Sequence, residues 1–169
     1  MKEQPHESRS PPDTTGAMSR LSGVALALVL ALLVFLLDQG LKRLVENSMH
    51  LGQSIPVISG VLRLTYIKNE GGAFGVLAGH GGLLLAGSVV ALAVVLWMLF
   101  EGPPSRIGIA GCGLIVGGAA GNLLDRMGAG EVTDYMDLQF WPVFNAADVA
   151  IVFGVAILLL TAARPGGKD

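Results

Sequence analysis

The sequence contains few charged residues and carries little net charge. Only 14% of its 169 residues are charged, whereas soluble proteins use about a quarter. Hydrophobic residues make up 52% of the chain and the mean hydropathy is +0.63, which favours lipid as the solvent. A net charge of -2 and an isoelectric point near 5.9 provide no basic field, so we expect no nucleic acid partner.

Cysteine and histidine are also scarce. Cys112 is the only cysteine, which excludes an intramolecular disulfide and a metal site built from several cysteines. It lies in an apolar run, where a thiol packs as a small hydrophobe. The histidines are scattered at His6, His50 and His80, whereas zinc needs such ligands in a group. We therefore expect no metal ion. A phosphate-binding loop is not expected either, because no Gly-rich stretch ends in the Lys-Ser/Thr pair of such a loop.

Hydrophobic runs divide the chain. Residues 1–19 lack any apolar period that could bury a face, so we predict a disordered tail there. Four apolar runs follow, and each approaches the roughly 20 residues that a helix needs to cross about 30 Å of hydrocarbon. They predict an all-α polytopic membrane protein with transmembrane helices at residues 21–37, 81–100, 107–124 and 144–163.

This division predicts a membrane domain at residues 20–163 and a short C-terminal tail at 164–169. Four spans place both termini on one side and the long connections, 38–80 and 125–143, on the other. Basic residues favour the cytoplasmic side. The opposite side holds five basic residues. The side with the termini holds six: Lys2, Arg9, Arg20, Arg106, Arg164 and Lys168. The balance favours cytoplasmic termini.

The two long connections contain residues typical of strands. Residues 61–67 alternate partly and are rich in β-branched and aromatic side chains, which predicts a strand. Residues 131–144 include Tyr135, Phe140 and Trp141, which suit a short strand or an amphipathic segment at the membrane interface. We therefore predict a small extracytoplasmic β platform.

Polar residues collect where the long connections meet the helices. An aspartate or arginine at the centre of a membrane helix costs about 2.5–3.5 kcal/mol, so each needs a reason to be there. Asn69 stands just before the second helix. Three further pairs have helical spacing that places both members on one face: Asp38 with Lys42, Asn122 with Arg126, and Asn145 with Asp148. These residues predict one shared polar site.

The simplest alternative is that these residues cap helices or extend their charges to the membrane surface, as long side chains do at many helix ends. For Lys42, Arg43 and Glu46, that explanation is as good as membership of a shared polar site. It is weaker for Asp148, because a short carboxylate does not reach far and apolar helix surrounds it. Asp148 is therefore expected to face a bundle interior or a cavity.

The polar site offers carboxylates, but no serine is paired with a histidine or lysine there. Two nearby carboxyl groups can share one proton, so that the ionised one activates a water while the protonated one donates to the scissile carbonyl. The residues thus permit an aspartic dyad. Composition does not choose the partner of Asp148. Arg126 argues weakly against the adjacent Asp125, because it could neutralise that carboxylate. Four aspartates lie on the same side: Asp38, Asp125, Asp134 and Asp137.

Five motifs resemble, in order, those of the lipoprotein signal peptidase (signal peptidase II) family. They are Asp38-Gln39-Gly40-Leu41-Lys42, Asn69-Glu70-Gly71-Gly72-Ala73-Phe74-Gly75, Gly121-Asn122-Leu123-Leu124-Asp125-Arg126, Val132-Thr133-Asp134-Tyr135 and Phe144-Asn145-Ala146-Ala147-Asp148. Leu41 departs from the pattern, since many members have Ser or Thr there. The resemblance covers roughly residues 20–163, and five ordered motifs are a strong signal where one alone would be weak.

The resemblance implies an intramembrane aspartic protease that removes the signal peptide from diacylglyceryl-modified prolipoproteins. It implies a cut just before the lipidated cysteine, with no metal or organic cofactor. The implied catalytic pair is Asp134 and Asp148, with a supporting polar shell of Asp38, Lys42, Asn69, Asn122, Arg126 and Asn145. The implied location is the bacterial inner membrane, with the site on the extracytoplasmic side. A substrate already in lipid could enter such a site sideways between helices.

A small ion or proton transporter is the main alternative, since intramembrane Asp, Arg and Lys also mark relays. A relay needs ionisable groups at several depths. The second predicted helix has none, and the other three are apolar in their inner halves. A purely structural membrane scaffold would leave Asp148 unexplained.

Overall fold

The computed structural model describes residues 14–70, 81–101 and 105–163. Most of them belong to four helices: α1 (Thr14–Ser48), α2 (Gly81–Glu101), α3 (Arg106–Gly128) and α4 (Ala146–Ala162). Three strands connect them: β1 (Ser54–Ile58) and β2 (Leu62–Asn69) between α1 and α2, and β3 (Val132–Asp137) between α3 and α4. The described chain is therefore mostly helical with one small sheet, and the predicted class is confirmed at that level.

Two helices are long and apolar enough to cross a membrane among the described residues, at Leu21–Ser48 and Arg106–Gly128. The other two are apolar but shorter. With 21 residues in α2 and 17 in α4, they measure about 31 and 26 Å at 1.5 Å per residue. All four predicted apolar runs are thus helical. Helices α2, α3 and α4 begin and end within four residues of the predicted bounds.

Helix α1 differs most from the prediction at its start. It begins at Thr14, so residues 14–19, which we predicted to belong to a disordered tail, are helical. No proline follows Pro12 in this region, and Ala17 and Met18 are favourable helix residues. Residues 1–13 and the predicted tail at 164–169 lie outside the described residues.

Helix α1 also continues beyond the predicted end at residue 37 and stops at Ser48. The apolar run ends at Asp38, but the following segment is amphipathic and keeps an apolar stripe at helical spacing. Val45 in this segment is buried with Met49, Tyr66 and Tyr135 beneath the sheet. This packing explains why the helix persists after uniform hydrophobicity has ended.

The sheet is antiparallel and has the order β1-β2-β3. Strand β2 confirms the strand predicted at 61–67, and β3 confirms the strand alternative for 131–144. The edge strand β1 was not predicted, and its Pro56 fits an edge position because proline cannot donate to a neighbouring strand. Pairing of β2 with β3 sets Asn69 opposite Val132. The end of β2 therefore lies beside the start of β3.

Helix α3 contacts each of the other three helices. Its glycines allow close approach on two faces: a Cβ at Gly113 would lie 2.8 Å from the carbonyl oxygen of Ala27 on α1, and one at Gly118 would lie 2.5 Å from that of Ala147 on α4. Such small faces let helix backbones meet directly. Cys112, the residue before Gly113, is fully buried in an apolar cluster, which confirms the prediction that it packs as a small hydrophobe. The C-terminal parts of α1 and α3, the N-terminus of α4 and the sheet thus meet at one end of the bundle.

Candidate active site

Strand β3 holds Asp134 in the interior. The side chain is only 1% exposed, and both of its oxygens accept hydrogen bonds from neutral amides. Asn69 Nδ2, at the end of β2, lies 2.8 Å from Asp134 Oδ2, and Asn145 Nδ2 lies 2.7 Å from Oδ1. The pairing of β2 with β3 brings Asn69 within reach, so the sheet fixes this carboxyl group.

The start of α4 holds Asp148. Asn145 is the N-cap of the helix, and the two residues form a capping box. Asp148 N donates to Asn145 Oδ1 at 3.0 Å, and Asn145 N donates to Asp148 Oδ2 at 3.1 Å. The other carboxyl oxygen, Oδ1, accepts from Asn122 Nδ2 on α3 at 2.8 Å. The carboxyl group therefore has one orientation and lies in the first turn, where the helix dipole favours negative charge.

Asn145 links the two carboxyl groups. Its side chain is fully buried, and its Nδ2 donates to Asp134 Oδ1 while also lying 3.0 Å from Asn122 Oδ1. One asparagine thus caps α4, orients Asp148 and contacts Asp134. Among the described residues, the two aspartates, one from a strand and one from a helix, are held by amide side chains and one backbone N–H.

A second group of charges lies behind these amides. We define the Lys42 cluster as Asp38, Gln39, Lys42 and Asp125. Lys42 Nζ lies 2.7 Å from Asp38 Oδ2 and 2.7 Å from Asp125 Oδ2, and it donates to Asn122 Oδ1 at 2.8 Å. Lys42 and Asp38 are almost completely buried. The cluster therefore supports Asn122, which in turn holds Asp148.

The Lys42 cluster also connects α1 to the backbones of both neighbouring helices. Asp38 Oδ1 accepts a hydrogen bond from the backbone N–H of Ala147, in the first turn of α4, at 3.0 Å. Gln39 Nε2 donates to Asp125 Oδ1 at 2.9 Å and to the carbonyl oxygen of Gly121 at 3.3 Å. These bonds fix α1 and α4 relative to α3 at the level of the aspartates.

Burial changes the acidity of Asp134. Loss of solvation raises its pKa to about 6 from an ordinary value of 3.8, and the nearby charge of Asp148 acts in the same direction. The hydrogen bonds from Asn69 and Asn145 oppose the rise. Asp134 therefore holds a proton at a pH well above that of an exposed aspartate.

Both aspartates line one cavity of about 260 Å³. Its polar wall consists of Asn69, Asn122, Arg126, Asp134 and Asp148, and its apolar wall includes Val132, Trp141, Phe144, Ile151 and Val152. Arg126 forms no ion pair with any residue in the described ranges. A molecule in this cavity can therefore meet two carboxyl groups and one guanidinium group. Within the same ranges, no three His, Cys, Asp or Glu side chains are grouped so that they could hold a metal ion.

The family model described as signal peptidase (SPase) II matches residues 30–164. The chain belongs to the signal peptidase II family. The lipoprotein signal peptidase of Halothermothrix orenii is 44% identical over 78% of this chain and 91% of the relative. That of Moorella thermoacetica is 41% identical over 84% and 95%. A solved structure of a bacterial membrane enzyme at 2.3 Å resolution has a TM-score of 0.77 and 26% identity, over 86% of this chain and 94% of that one.

The residues that sequence analysis selected in this signal peptidase II chain fall into two groups. Asn145 does not line the cavity but contacts both aspartates. Five of the selected residues line it: Asn69, Asn122, Arg126, Asp134 and Asp148. Asp38 and Lys42 stand one hydrogen bond further back. Of the open alternatives for a second aspartate, Asp137 bonds to Thr65 on the sheet and does not line the cavity.

Two features were not anticipated from the sequence. The sequence analysis took the adjacent Arg126 as the group that could neutralise Asp125, but the ionic partner of Asp125 is Lys42 on another helix. Gln39 was part of a quoted motif and received no role, although it joins α1 to α3. Consecutive helix residues point about 100° apart, so the spacing that selected Asp38 and Lys42 could not select Gln39.

Proposed function

We propose that Asp134 and Asp148 are the catalytic pair of this peptidase, which removes signal peptides from prolipoproteins. In this proposal the substrate is diacylglyceryl-modified and the enzyme cuts the peptide bond just before the lipidated cysteine. The observation that carries the proposal is that two aspartates line one cavity and, within the described part of the chain, accept hydrogen bonds from neutral amides. Amides orient a carboxyl group without fixing its charge. Such a pair can exchange protons with a substrate.

The proposed reaction uses the two carboxyl groups in opposite protonation states. Asp148 removes a proton from a water molecule, and the water oxygen attacks the scissile carbonyl carbon. Asp134 donates its proton to the carbonyl oxygen as that oxygen gains charge. When the tetrahedral intermediate breaks, the carbon–nitrogen bond is cleaved, and a proton passes to the leaving amine. The products are a carboxyl terminus on the signal peptide and an amino terminus on the lipidated cysteine.

The assignment of the proton follows from the surroundings of each aspartate. Asp134 is buried in a strand, which raises its pKa to about 6. Asp148 lies in the first turn of α4, accepts two N–H bonds and lines the cavity, so its carboxyl group is positioned to meet a water molecule there. Asp134 therefore serves as the acid and Asp148 as the base.

The remaining polar shell is proposed to bind and support. Arg126 lines the cavity, and its planar guanidinium suits carbonyl or head-group oxygens of the substrate. Asn69, Asn122 and Asn145 hold the two acids. Asp38 and Lys42 hold Asn122 and the start of α4.

We further propose that all four helices span the bacterial inner membrane within a peptidase domain at residues 20–163. Both termini would be cytoplasmic, and the sheet, the cavity and the connections 38–80 and 125–143 would be extracytoplasmic. Two helices already have the length and composition to cross, and α2 and α4 come close to the about 30 Å of hydrocarbon. A membrane-anchored substrate then reaches the cavity without leaving the lipid. Reporter fusions at Arg164 and Glu131 test this topology, and a translocated C-terminal reporter would contradict it.

The catalytic proposal is tested with purified protein and one prolipoprotein in lipidated and unlipidated forms. We expect cleavage of the lipidated form alone. Asp134→Asn and Asp148→Asn should each reduce turnover by at least about 10²–10⁴-fold while the protein stays folded. Asp137→Asn is the matched control, because this aspartate bonds to the sheet outside the cavity. Near-normal turnover in either dyad variant would refute the assignment.

A further inference from the structure

Three polar side chains outside the candidate active-site cavity join the end of α1 to the sheet. We define the Glu46 network as Glu46 on α1, Lys68 on β2 and Thr133 on β3. Lys68 Nζ lies 2.7 Å from Glu46 Oε1 and donates to Thr133 Oγ1 at 2.8 Å. Thr133 Oγ1 donates to the same Glu46 oxygen at 2.6 Å. The network therefore holds one helix and two strands together at a single point.

The Glu46 network lies back to back with the hydrogen bond between Asn69 and Asp134. Lys68 directly precedes Asn69 in β2, and Thr133 directly precedes Asp134 in β3. Lys68 and Thr133 are cross-strand partners. Because consecutive strand residues point to opposite faces, the two strand members of the network face the end of α1, and the residues that follow them face the cavity. A movement of either strand at the network would therefore move the Asn69–Asp134 pair.

The pairing of β2 with β3 is short at this point. The register shifts between Leu64 and Ile67, and beyond this irregularity three residue pairs remain in the ladder among the described residues. The last of these pairs is Asn69 with Val132. Few backbone contacts therefore fix the end of β2 against β3, and cross-strand side-chain contacts add to them.

The burial of Thr133 distinguishes the network from an ordinary ion pair on the surface. Lys68 and Glu46 are partly exposed, and such a pair alone contributes little to stability. Thr133, by contrast, is only 2% exposed, and its hydroxyl group both donates and accepts within the network. Its carbonyl oxygen also lies 3.4 Å from Asn145 Nδ2, the amide that donates to Asp134. The network is thus connected to the acid from two sides.

We propose that the Glu46 network positions Asp134 for catalysis. Its members are positioning residues, which act through Asn69 and the strand backbone and do not line the cavity. The inference rests on the proposed function, because it takes Asp134 to be the acid of the reaction. It adds a second connection from α1 to the catalytic pair, besides the one that the Lys42 cluster makes to Asp148 through Asn122.

The test separates the hydroxyl group of Thr133 from its shape. Thr133→Val removes the hydroxyl group and keeps the branched side chain, whereas Thr133→Ser keeps the hydroxyl group. Lys68→Met probes the network independently in case Thr133→Val does not fold. Thr65→Val is the matched control, because the Thr65 hydroxyl also bonds from β2 to β3 but contacts Asp137, outside the cavity. Values of kcat and KM are measured on one lipidated prolipoprotein, well below the melting temperature of each variant.

We expect Thr133→Val and Lys68→Met each to lower kcat about tenfold with KM nearly unchanged, because small displacements of a catalytic group slow the chemical step strongly. Thr133→Ser should restore most of the loss, and Thr65→Val should keep the wild-type kcat.

The alkaline limb of the pH profile of kcat supplies a second readout, which a loss of folded protein does not move. Burial raises the pKa of Asp134, and the hydrogen bond from Asn69 opposes the rise. Displacement of Asn69 should therefore shift this limb to higher pH by up to about 1 pH unit. Asp148 and Lys42 also act on the charge of Asp134, and Arg126 shares its cavity, but all three are retained in every variant.

A lower kcat together with the shifted limb would support the positioning role. Wild-type kcat in a folded Thr133→Val or Lys68→Met variant would overturn it, as would a lower kcat with an unmoved limb or an equal loss in Thr65→Val. Failure of the wild-type protein to cleave the substrate, or full activity of Asp134→Asn, would instead refute the proposed function.

Discussion

Two pairs of aspartates lie at the same end of the bundle and differ in what holds them. Asp38 and Asp125 share a lysine, with Lys42 Nζ 2.7 Å from each. Asp134 and Asp148 form no ion pair with any residue that the structure describes, and they accept hydrogen bonds from asparagine side chains and a backbone N–H. Asn122 connects the two pairs, because it accepts from Lys42 and donates to Asp148.

The difference separates a supporting pair from a reactive pair. Lys42 forms ion pairs with both Asp38 and Asp125, and charge-assisted hydrogen bonds of this kind hold a carboxylate strongly. An amide donor carries no charge. It therefore fixes the position of a carboxyl group and opposes its protonation less than a lysine does. The second pair also lines the cavity and is therefore placed to act on a substrate. We infer that the charge of the partner, more than burial, distinguishes the role of each aspartate here.

Removal of the shared lysine should have the largest effect on stability. Lys42→Met would leave two buried carboxylates without their cation, and breaking a buried pair costs about 3–5 kcal/mol. A thermal melt in detergent measures the loss. Lys68→Met is the control, because its ion pair with Glu46 is partly exposed and should be worth about 1 kcal/mol or less. Equal losses in the two variants would show that the Lys42 cluster is no more than a surface pair.

The acidity of Asp134 should make stability depend on pH. Its folded pKa of about 6 exceeds the ordinary 3.8, so between these values the folded state binds more protons than the unfolded state. The free energy of unfolding is then highest below about pH 4, and it falls by about 3 kcal/mol in total as the pH rises to about 6. Asp134→Asn should lack this decline when melting is measured from pH 4 to pH 7. A decline of the same size in the variant would assign it to another group.

Arg126 and Asn122 should separate substrate binding from support. Arg126→Ala is expected to lower kcat/KM by about 10–100-fold with melting nearly unchanged, because the side chain lines the cavity without an ion pair in the described ranges. Asn122→Ala should lower both kcat/KM and stability, since it removes partners of Lys42 and Asp148 and unmet buried groups cost about 1–3 kcal/mol. Unchanged kinetics for Arg126→Ala, or loss only in step with melting, would assign it a structural role.

Local spacing predicted much of the site correctly. Asp38 and Lys42, four residues apart, do pair on one helix face, and Asn145 and Asp148, three apart, do meet in a capping box. Such contacts depend only on helix geometry. The four helices could likewise be predicted, because apolar runs of that length have few other structures.

Contacts between distant segments could not be predicted in this way. The pairing of Asp125 with Lys42 depends on how α3 lies against α1, and Gly121 permits it by letting the Asp38 carboxylate lie against the α3 backbone. The continuation of α1 to Ser48 depends on burial of Val45 and Met49 beneath the sheet. Hydropathy along the chain carries no information about these tertiary partners.

Asp148→Asn and Asp38→Asn, compared in one experiment, test most directly whether the partner determines the role of an aspartate. Turnover of a lipidated prolipoprotein is measured well below the melting temperature of each variant. We predict that Asp148→Asn loses at least about 10²-fold in turnover and melts near the wild-type temperature. Asp38→Asn should lose about 1–3 kcal/mol of stability and keep turnover within about tenfold. The reverse pattern, with Asp148→Asn active and Asp38→Asn inactive though folded, would contradict the account.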